Sequence, residues 1–255
     1  MNPRCLALLL FLGFWTPARA DWNVVSSERQ NSPNELIEHR KTEVANDETG
    51  ERATLHLAIF RNSAATLRLV DQPAERRDLA AVMTDLHALA GVNGGYFDPQ
   101  DAPVGLLVSA GKTISPLSRA KLLSGVLFAE KDSVEIVRAA HFKMNRAVAE
   151  AVQCGPLLVE RGEPVPGLND TRSARRTFAA IDGRKSAALG YCSGVSLAEM
   201  ARVLCLTNIA GEVKFARALN LDGGSSSAFW VAGGADISEQ KTVRDFVAIV
   251  PRSTR

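Results

Sequence analysis

Apolar and polar positions alternate with two different periods along this chain. In ATLHLAIFR (Ala53 to Arg61) and ATLRLV (Ala65 to Val70) the alternation is close to two, which predicts a pair of strands joined across Asn62-Ser63. In AERRDLAAVMTDLHAL (Ala74 to Leu89) the residues Leu79, Val82, Met83 and Leu86 fall on one stripe, the pattern of an amphipathic helix. GLLVSAGK (Gly105 to Lys112), LLSGVLFAE (Leu122 to Glu130) and SVEIV (Ser133 to Val137) predict further strands. FKMNRAVAEAVQ (Phe142 to Gln153) predicts a short helix, followed by a strand in CGPLLVERG that turns at Arg161-Gly162. TFAAIDGRKSAALGY (Thr177 to Tyr191) predicts a hairpin with Asp182-Gly183 at its turn. Ser196 and Glu199 have capping-box spacing and start a helix to about Leu206. EVKFARALNL, SAFWVAGG and FVAIVPR close the chain as three strands. Residues 21–50 are polar with weak periodicity and read as an irregular lead-in, leaving 51–255 as the domain. Strands outnumber helices without a regular β-α-β rhythm, so the expected fold class is α+β: one domain of mixed or antiparallel strands with a few helices between them.

The opening stretch, MNPRCLALLLFLGFWTPARADW, changes the picture of where this domain works. Arg4 supplies a basic start, Leu6 to Trp15 an apolar core and Ala18-Arg19-Ala20 a small-x-small cleavage site, so residues 1–20 read as a signal peptide. The apolar stretch is shorter than the roughly 20 residues needed to cross a bilayer, and no later segment is long and charge-free enough. A secreted or periplasmic protein with no membrane span is therefore expected. The leader holds two arginines and no acid; removing it takes the 30 basic side chains to 28, equal to the 28 acidic ones. A neutral mature chain gives no reason to expect nucleic acid or an anionic membrane as partner. Cys154, Cys192 and Cys205 remain, and an oxidising compartment allows one disulfide in any of three pairings. No spacing matches a zinc site, and His39, His56, His87 and His141 read as isolated solvated or core residues; neither a metal nor another cofactor is expected.

Four segments carry candidate chemistry. In GVNGGYFDP, Asn93, Gly94 and Gly95 are followed by Tyr96, Phe97 and Asp98, placing an amide, a phenol and a carboxylate beside bare backbone whose N–H groups can face an anion; a hairpin turn is the plain alternative. In SARRTFAAID, Arg176 and Thr177 open a strand and can present a guanidinium fork and a hydroxyl to a phosphate, whereas Arg172 and Arg175 read as solvated. In ALNLDGGSSSAFW, an apolar run stops at Asp222 and passes through Gly223, Gly224, Ser225 and Ser226, a turn that can aim a carboxylate at a ligand. Gly190-Tyr191-Cys192-Ser193-Gly194 has the outline of a nucleophile elbow, but that arrangement requires a histidine downstream and none follows His141, so Cys192 reads as structural.

Taken in order, NGGYFDP, PVGLLVSAGK, QCGPLLVERG, RRTFAAID and ALNLDGGSSS resemble the phosphodiester glycosidase family, which includes the mammalian uncovering enzyme that removes N-acetylglucosamine from its phosphodiester link to mannose. The series covers Gly91 to Ser227. Arg175 stands where the family often has proline, Ala180 and Ser225 where it often has glycine. The resemblance implies an α+β domain with a surface cavity lined by the motif loops and a substrate that is a sugar phosphodiester or phosphorylated glycan. It implies Asp222, Arg176 and Asn93 as catalytic, with Gly94, Gly95, Tyr96, Phe97, Asp98, Gly155, Thr177, Gly223, Gly224, Ser225 and Ser226 binding substrate. Hydrolysis of a sugar-1-phosphodiester at the anomeric carbon needs a cation on the phosphate and a carboxylate near the oxocarbenium-like centre, tasks that suit Arg176 and Asp222. Asp98 and Asp182 are candidate second carboxylates, each reading first as a turn residue. The alternatives are an anionic-glycan-binding module without turnover and a phosphodiesterase that breaks the P–O bond instead.

Overall fold

The structure, a computed structural model, describes residues 22–30, 34–74 and 76–252. The signal peptide expected over 1–20 lies outside them. The chain begins with β1 (Trp22–Arg29), β2 (Ile37–Asn46), β3 (Arg52–Arg61) and β4 (Ala65–Asp71), then helix α1 (Leu79–Asp85) and β5 (Ala90–Asn93). β6 (Leu107–Ser109), β7 (Lys112–Ser115), β8 (Gly125–Ala129), β9 (Val134–Arg138), β10 (Glu150–Cys154), β11 (Leu157–Glu160) and β12 (Glu163–Pro164) follow. β13 (Ala174–Ile181), β14 (Ser186–Val195), helix α2 (Leu197–Leu204), β15 (Arg217–Asn220), β16 (Phe229–Val231), β17 (Asp236–Ile237) and β18 (Asp245–Pro251) complete it.

These strands form an eight-stranded sheet in the order β1-β2-β3-β14-β13-β15-β11-β12 and two five-stranded sheets, β7-β6-β10-β8-β9 and β17-β16-β5-β18-β4. Every strand pairing among the described residues is antiparallel. All three sheets contribute to one shared core, with Phe60, Leu69, Leu127, Leu157, Leu189, Phe229 and Ile249 buried in it. The eight-stranded sheet is covered on its other face by α2, whose Met200, Val203 and Leu204 pack with Leu55, Leu57 and Phe178. Helix α1 does the same for the third sheet, setting Leu79 and Met83 against Phe246 and Ala248. Burying each such side chain contributes roughly 1.5–3 kcal/mol, so covering both sheet faces explains the unbroken runs over residues 178–181 in β13 and 187–192 in β14, all buried and none charged.

The sheet-rich single domain agrees with the α+β expectation at the coarse level, and the Asp182-Gly183 hairpin and the Ser196–Glu199 capping box form as the sequence predicts. Four local expectations are corrected. The lead-in over 21–50 is not irregular but supplies β1 and β2, an edge hairpin paired from Trp22↔Asn46 to Arg29↔Arg40. Its periodicity is hidden because β2 buries residues on opposite faces, Ile37 and His39 on one and Thr42, Val44 and Asn46 on the other, and three of these five are polar. The helix expected over 142–153 is instead irregular chain with a turn at Arg146-Ala147, leading into the fully buried central strand β10. Its alanines suit a helix locally, but pairing with β6 and β8 on either side overrides that preference. GLLVSAGK splits into β6 and β7 around a turn at Ala110-Gly111, both at positive φ. Helix α1 keeps the stripe but is shorter than expected, starting at Asp78, whose carboxylate accepts from Ala81 N at 2.7 Å.

One further correction concerns the histidines, and the structure also bears on the cysteines. His39 and His56 are not isolated: the register of β2 on β3 makes them diagonal neighbours, and His39 Nε2 lies 3.1 Å from His56 Nδ1. All three cysteines among the described residues are free thiols. Cys192 sits in the middle of β14, fully buried, and burial pushes its thiol up to about 12, as suits a packing residue rather than a nucleophile.

Candidate active site

Three strand ends from two sheets converge where the motifs meet. Asn93 ends β5, Thr177 lies early in β13, and Asp222 follows β15 by two residues. The buried Asn93 amide ties them together: its Oδ1 accepts from Thr177 Oγ1 at 2.7 Å and from Ala228 N at 3.0 Å, and its Nδ2 donates to the Asp222 carbonyl at 2.7 Å. Asp222 N donates to Gly94 O at 3.0 Å, and Leu221 N to Thr177 O at 2.9 Å, so the chain carrying Asp222 is stitched to both neighbouring elements. Beyond Asp222, Gly223 is extended and Gly224 adopts a φ of 68°, a left-handed conformation that glycine enters at no steric cost, starting a 3-10 turn over Gly224–Ser226.

This geometry redistributes the roles expected for the motif residues. Asn93 and Thr177 are buried and bonded to each other, so they hold the site together rather than face a ligand. Gly94 and Gly95 are also buried, and their N–H groups are not offered to an external anion: Gly94 N donates to Asp245 O and Gly95 N to Asp245 Oδ1, each at 2.9 Å. Gly155 is buried under Tyr96, whose hydroxyl donates to the Gly155 carbonyl at 2.6 Å, while Asn220 Nδ2 donates to the same carbonyl at 3.0 Å. Asp98 caps its own turn, accepting from Gln100 N and Ala102 N, and Asp182 accepts from Arg184 N, Lys185 N and Ser186 N; neither is a second carboxylate for the site. Ser225 is exposed, Ser226 buried.

Asp222 and Arg176 keep free functional atoms. Arg176 is 8% exposed; its Nε donates to Val195 O at 2.9 Å and its Nη2 to Arg172 O at 2.6 Å, which leaves Nη1 directed past Gly223. Burial lowers the Arg176 pKa and raises that of the half-buried Asp222 carboxyl, the latter opposed by Ser226, Lys241 and the Gly223 N–H. The Ser226 hydroxyl lies near enough to stabilise the Asp222 carboxylate yet closes no hydrogen bond. Burial likewise raises the Tyr96 pKa, keeping the phenol protonated. Arg175, expected in solvent, stacks over the Tyr191 ring at 5.4 Å and donates to the Ser227 and Ser238 carbonyls, clamping the last loop against β13.

Two residues of this region escaped the sequence reading. Lys241 stands over the Phe97 ring at 4.9 Å and acts on Asp222 through its charge; nothing in its sequence surroundings marks it. Asp245 is 1% exposed at the head of β18, and its signal was readable: like Asp222, it is a lone carboxylate at the end of an apolar run. Among the described residues no group of three or more His, Cys, Asp or Glu is placed to hold a metal. A cleft of about 880 Å³ opens beside β1, β2 and residues 208–213, lined by none of the motif residues.

Antiparallel sheets around a shared core, with the motif segments gathered where strands of two of those sheets meet, define a sheet-rich domain. Residues 86–250 match the phosphodiester glycosidase family, and the chain belongs to that family. Its fold is similar to that of the zebrafish N-acetylglucosamine-1-phosphodiester alpha-N-acetylglucosaminidase catalytic domain auto-inhibited by its pro-peptide, with a TM-score of 0.65 at 14% identity over 89% of this chain and 88% of that one. A hypothetical protein from Synechocystis is similar with a TM-score of 0.63 at 16% identity, over 86% of this chain and 63% of that one. The uncharacterised Escherichia coli (strain K12) protein YigE is 34% identical over 102 residues, 36% of this chain; the match spans 40% of that relative's length.

Proposed function

We propose that this chain is an exported hydrolase that cleaves a sugar-1-phosphodiester, of the N-acetylglucosamine-1-phosphodiester kind, into free sugar and a phosphomonoester. The observation that carries the reading is that Asp222, half-buried with its backbone fixed at both N–H and carbonyl, is followed at once by Gly223, against which Nη1 of Arg176 lies without a hydrogen bond. Family membership and the leader over residues 1–20 support it.

The chemistry follows from where charge develops. As the bond between the anomeric carbon and the phosphate oxygen breaks, its electron pair leaves on the phosphomonoester, and the ring carbon becomes oxocarbenium-like. Arg176, with Lys241 at the rim, stabilises the leaving group; Asp222 either takes the proton from a water whose oxygen bonds to the carbon, or bonds to it first and is released by water. Phosphate leaves readily, so a strong general acid is dispensable. Tyr96, Phe97 and the Gly223–Ser225 backbone form the wall for sugar and phosphate, while Asn93, Thr177, Gly94 and Gly95 keep that wall in register.

The test is incubation of the mature protein with N-acetylglucosamine-1-phospho-mannoside, with products resolved by mass and Asp222→Asn alongside. Free N-acetylglucosamine and mannose phosphate, absent with the variant, support the proposal. N-acetylglucosamine-1-phosphate as product would reassign the protein as a phosphodiesterase, and substrate bound but intact across a panel of sugar phosphodiesters would make it a glycan-binding module.

A further inference from the structure

Asp245 is placed to act on the site from beneath. The pairing of Phe246 with Asn93 sets its backbone against Gly94, and its Oδ1 accepts the Gly95 N–H at 2.9 Å. A methyl group on Gly94 would overlap Asp245 Oδ1, so the carboxyl fills the space that the missing side chain leaves. Gly94 O in turn holds Asp222 N at 3.0 Å. A short relay therefore runs from the Asp245 carboxyl through the glycine pair to the backbone of Asp222.

The carboxyl has no counter-ion of its own. Neighbouring Arg244 is committed to Asp71, with Nε 2.5 Å from Oδ1 and Nη2 3.0 Å from Oδ2, and to the Asp101 carbonyl through Nη1. Asp245 Oδ2 is buried without a hydrogen-bond partner. The charged and titratable groups acting with Asp245 are Asp71 on β4, Arg244 on its own strand's approach, Asp222 after β15 and the Cys154 thiol on β10. Two of the three closest charges are negative, and the one cation is already paired.

We propose that Asp245 is a positioning residue that, as a neutral acid, seats the Asn93–Gly94–Gly95 turn under Asp222, and that its ionisation sets the alkaline limit for binding an anion at the site. The proposal rests on the reading that Asp222 and Arg176 form that site. Burial first, then the like charges of Asp71 and Asp222, pushes the Asp245 carboxyl up to about 7, opposed by the Gly95 N–H and Arg244. Above that pH a negative charge appears on Asp245 in a low-dielectric setting close to Asp222, where an anionic phosphodiester must be held.

Two readouts that do not require turnover test this. The first is the carboxyl carbon titration of Asp245 by NMR in the wild type and in Asp222→Asn. A midpoint near 7 that falls when the Asp222 charge is removed is expected; a wild-type midpoint below 5, or one indifferent to Asp222, would overturn the proposal. The second is the affinity for sulfate, which does not itself titrate, between pH 6 and 9. The wild type is expected to lose affinity on the order of tenfold per pH unit above the midpoint, and Asp245→Asn, which keeps the acceptor for Gly95 N–H, to stay flat. A wild-type sulfate profile that is flat or undetectable, or a decline that Asp245→Asn retains, would also overturn it. If both readouts behave as expected while no sugar phosphodiester is hydrolysed, the hydrolase reading fails and the role of Asp245 stands.

Discussion

Asn93 and Asp222 lie 129 residues apart in sequence, yet the Asn93 amide donates to the Asp222 carbonyl at 2.7 Å while accepting from Thr177 and Ala228. One buried side chain thus joins β5, β13 and the segment after β15. Asn93→Asp keeps the volume and both accepted bonds but loses the donor and faces a carboxylate toward a carbonyl. It is expected to cost about 1–3 kcal/mol in denaturant melts, the range for an orphaned buried group, and to lower turnover further by releasing Asp222. Stability unchanged from wild type would show that the tie does not bear on the fold.

Asp222→Asn is expected to abolish hydrolysis without lowering stability at neutral pH. The sign follows from its raised pKa: a buried carboxyl that prefers to be protonated contributes stability below its unfolded pKa and loses it as pH rises through the folded value. Asparagine removes a carboxyl whose ionisation the surroundings oppose, so the melting temperature should hold or rise. The anomeric configuration of the wild-type product separates the two roles for Asp222, retention marking a nucleophile and inversion a base for water.

Arg176→Lys is expected to lose on the order of 10- to 100-fold in affinity for an anionic substrate. Lysine keeps the charge but cannot donate to Val195 O and Arg172 O while sending a third N–H toward Gly223. Lys241→Ala, by contrast, changes an exposed side chain, and its effect on KM should shrink as salt is raised. Paired KM measurements at low and high ionic strength check both.

The histidine pair fixes an acid limit on stability. Burial, reinforced by His39 and Lys41, pushes His56 down to about 4, and burial also lowers His39. A base with a depressed folded pKa contributes stability above its unfolded value near 6.5 and loses it as pH falls toward the folded one. Melting temperature should therefore drop between pH 6.5 and 4, and His56→Gln should remove part of that slope, an effect on the order of 1–3 kcal/mol. A slope that the variant leaves intact would assign it to other groups.

The sequence by itself determined what depends on near neighbours. The hairpin at Asp182-Gly183, the cap at Ser196 and the apolar stripe of α1 were legible because a turn, a cap and a helix face are each settled within a few residues. So were the motifs carrying Asp222, Arg176 and Asn93, since a carboxylate or guanidinium at the edge of an apolar run stands out. What only the tertiary structure decided is which of these groups remain free. Asn93, Thr177, Gly94 and Gly95 read as ligand-facing until cross-sheet hydrogen bonds turn them inward, and the acceptors that take the two glycine N–H groups are the protein's own: the Asp245 carbonyl for Gly94 and the Asp245 carboxyl for Gly95. The same holds for β1, β2 and β10, whose strands are fixed by partners on other strands, as far apart as Val152 and Leu107, and for His39 and His56, which meet only through strand register. A hydrogen bond between distant residues leaves no trace in local periodicity, because its energy appears only after the core has brought the strand ends together.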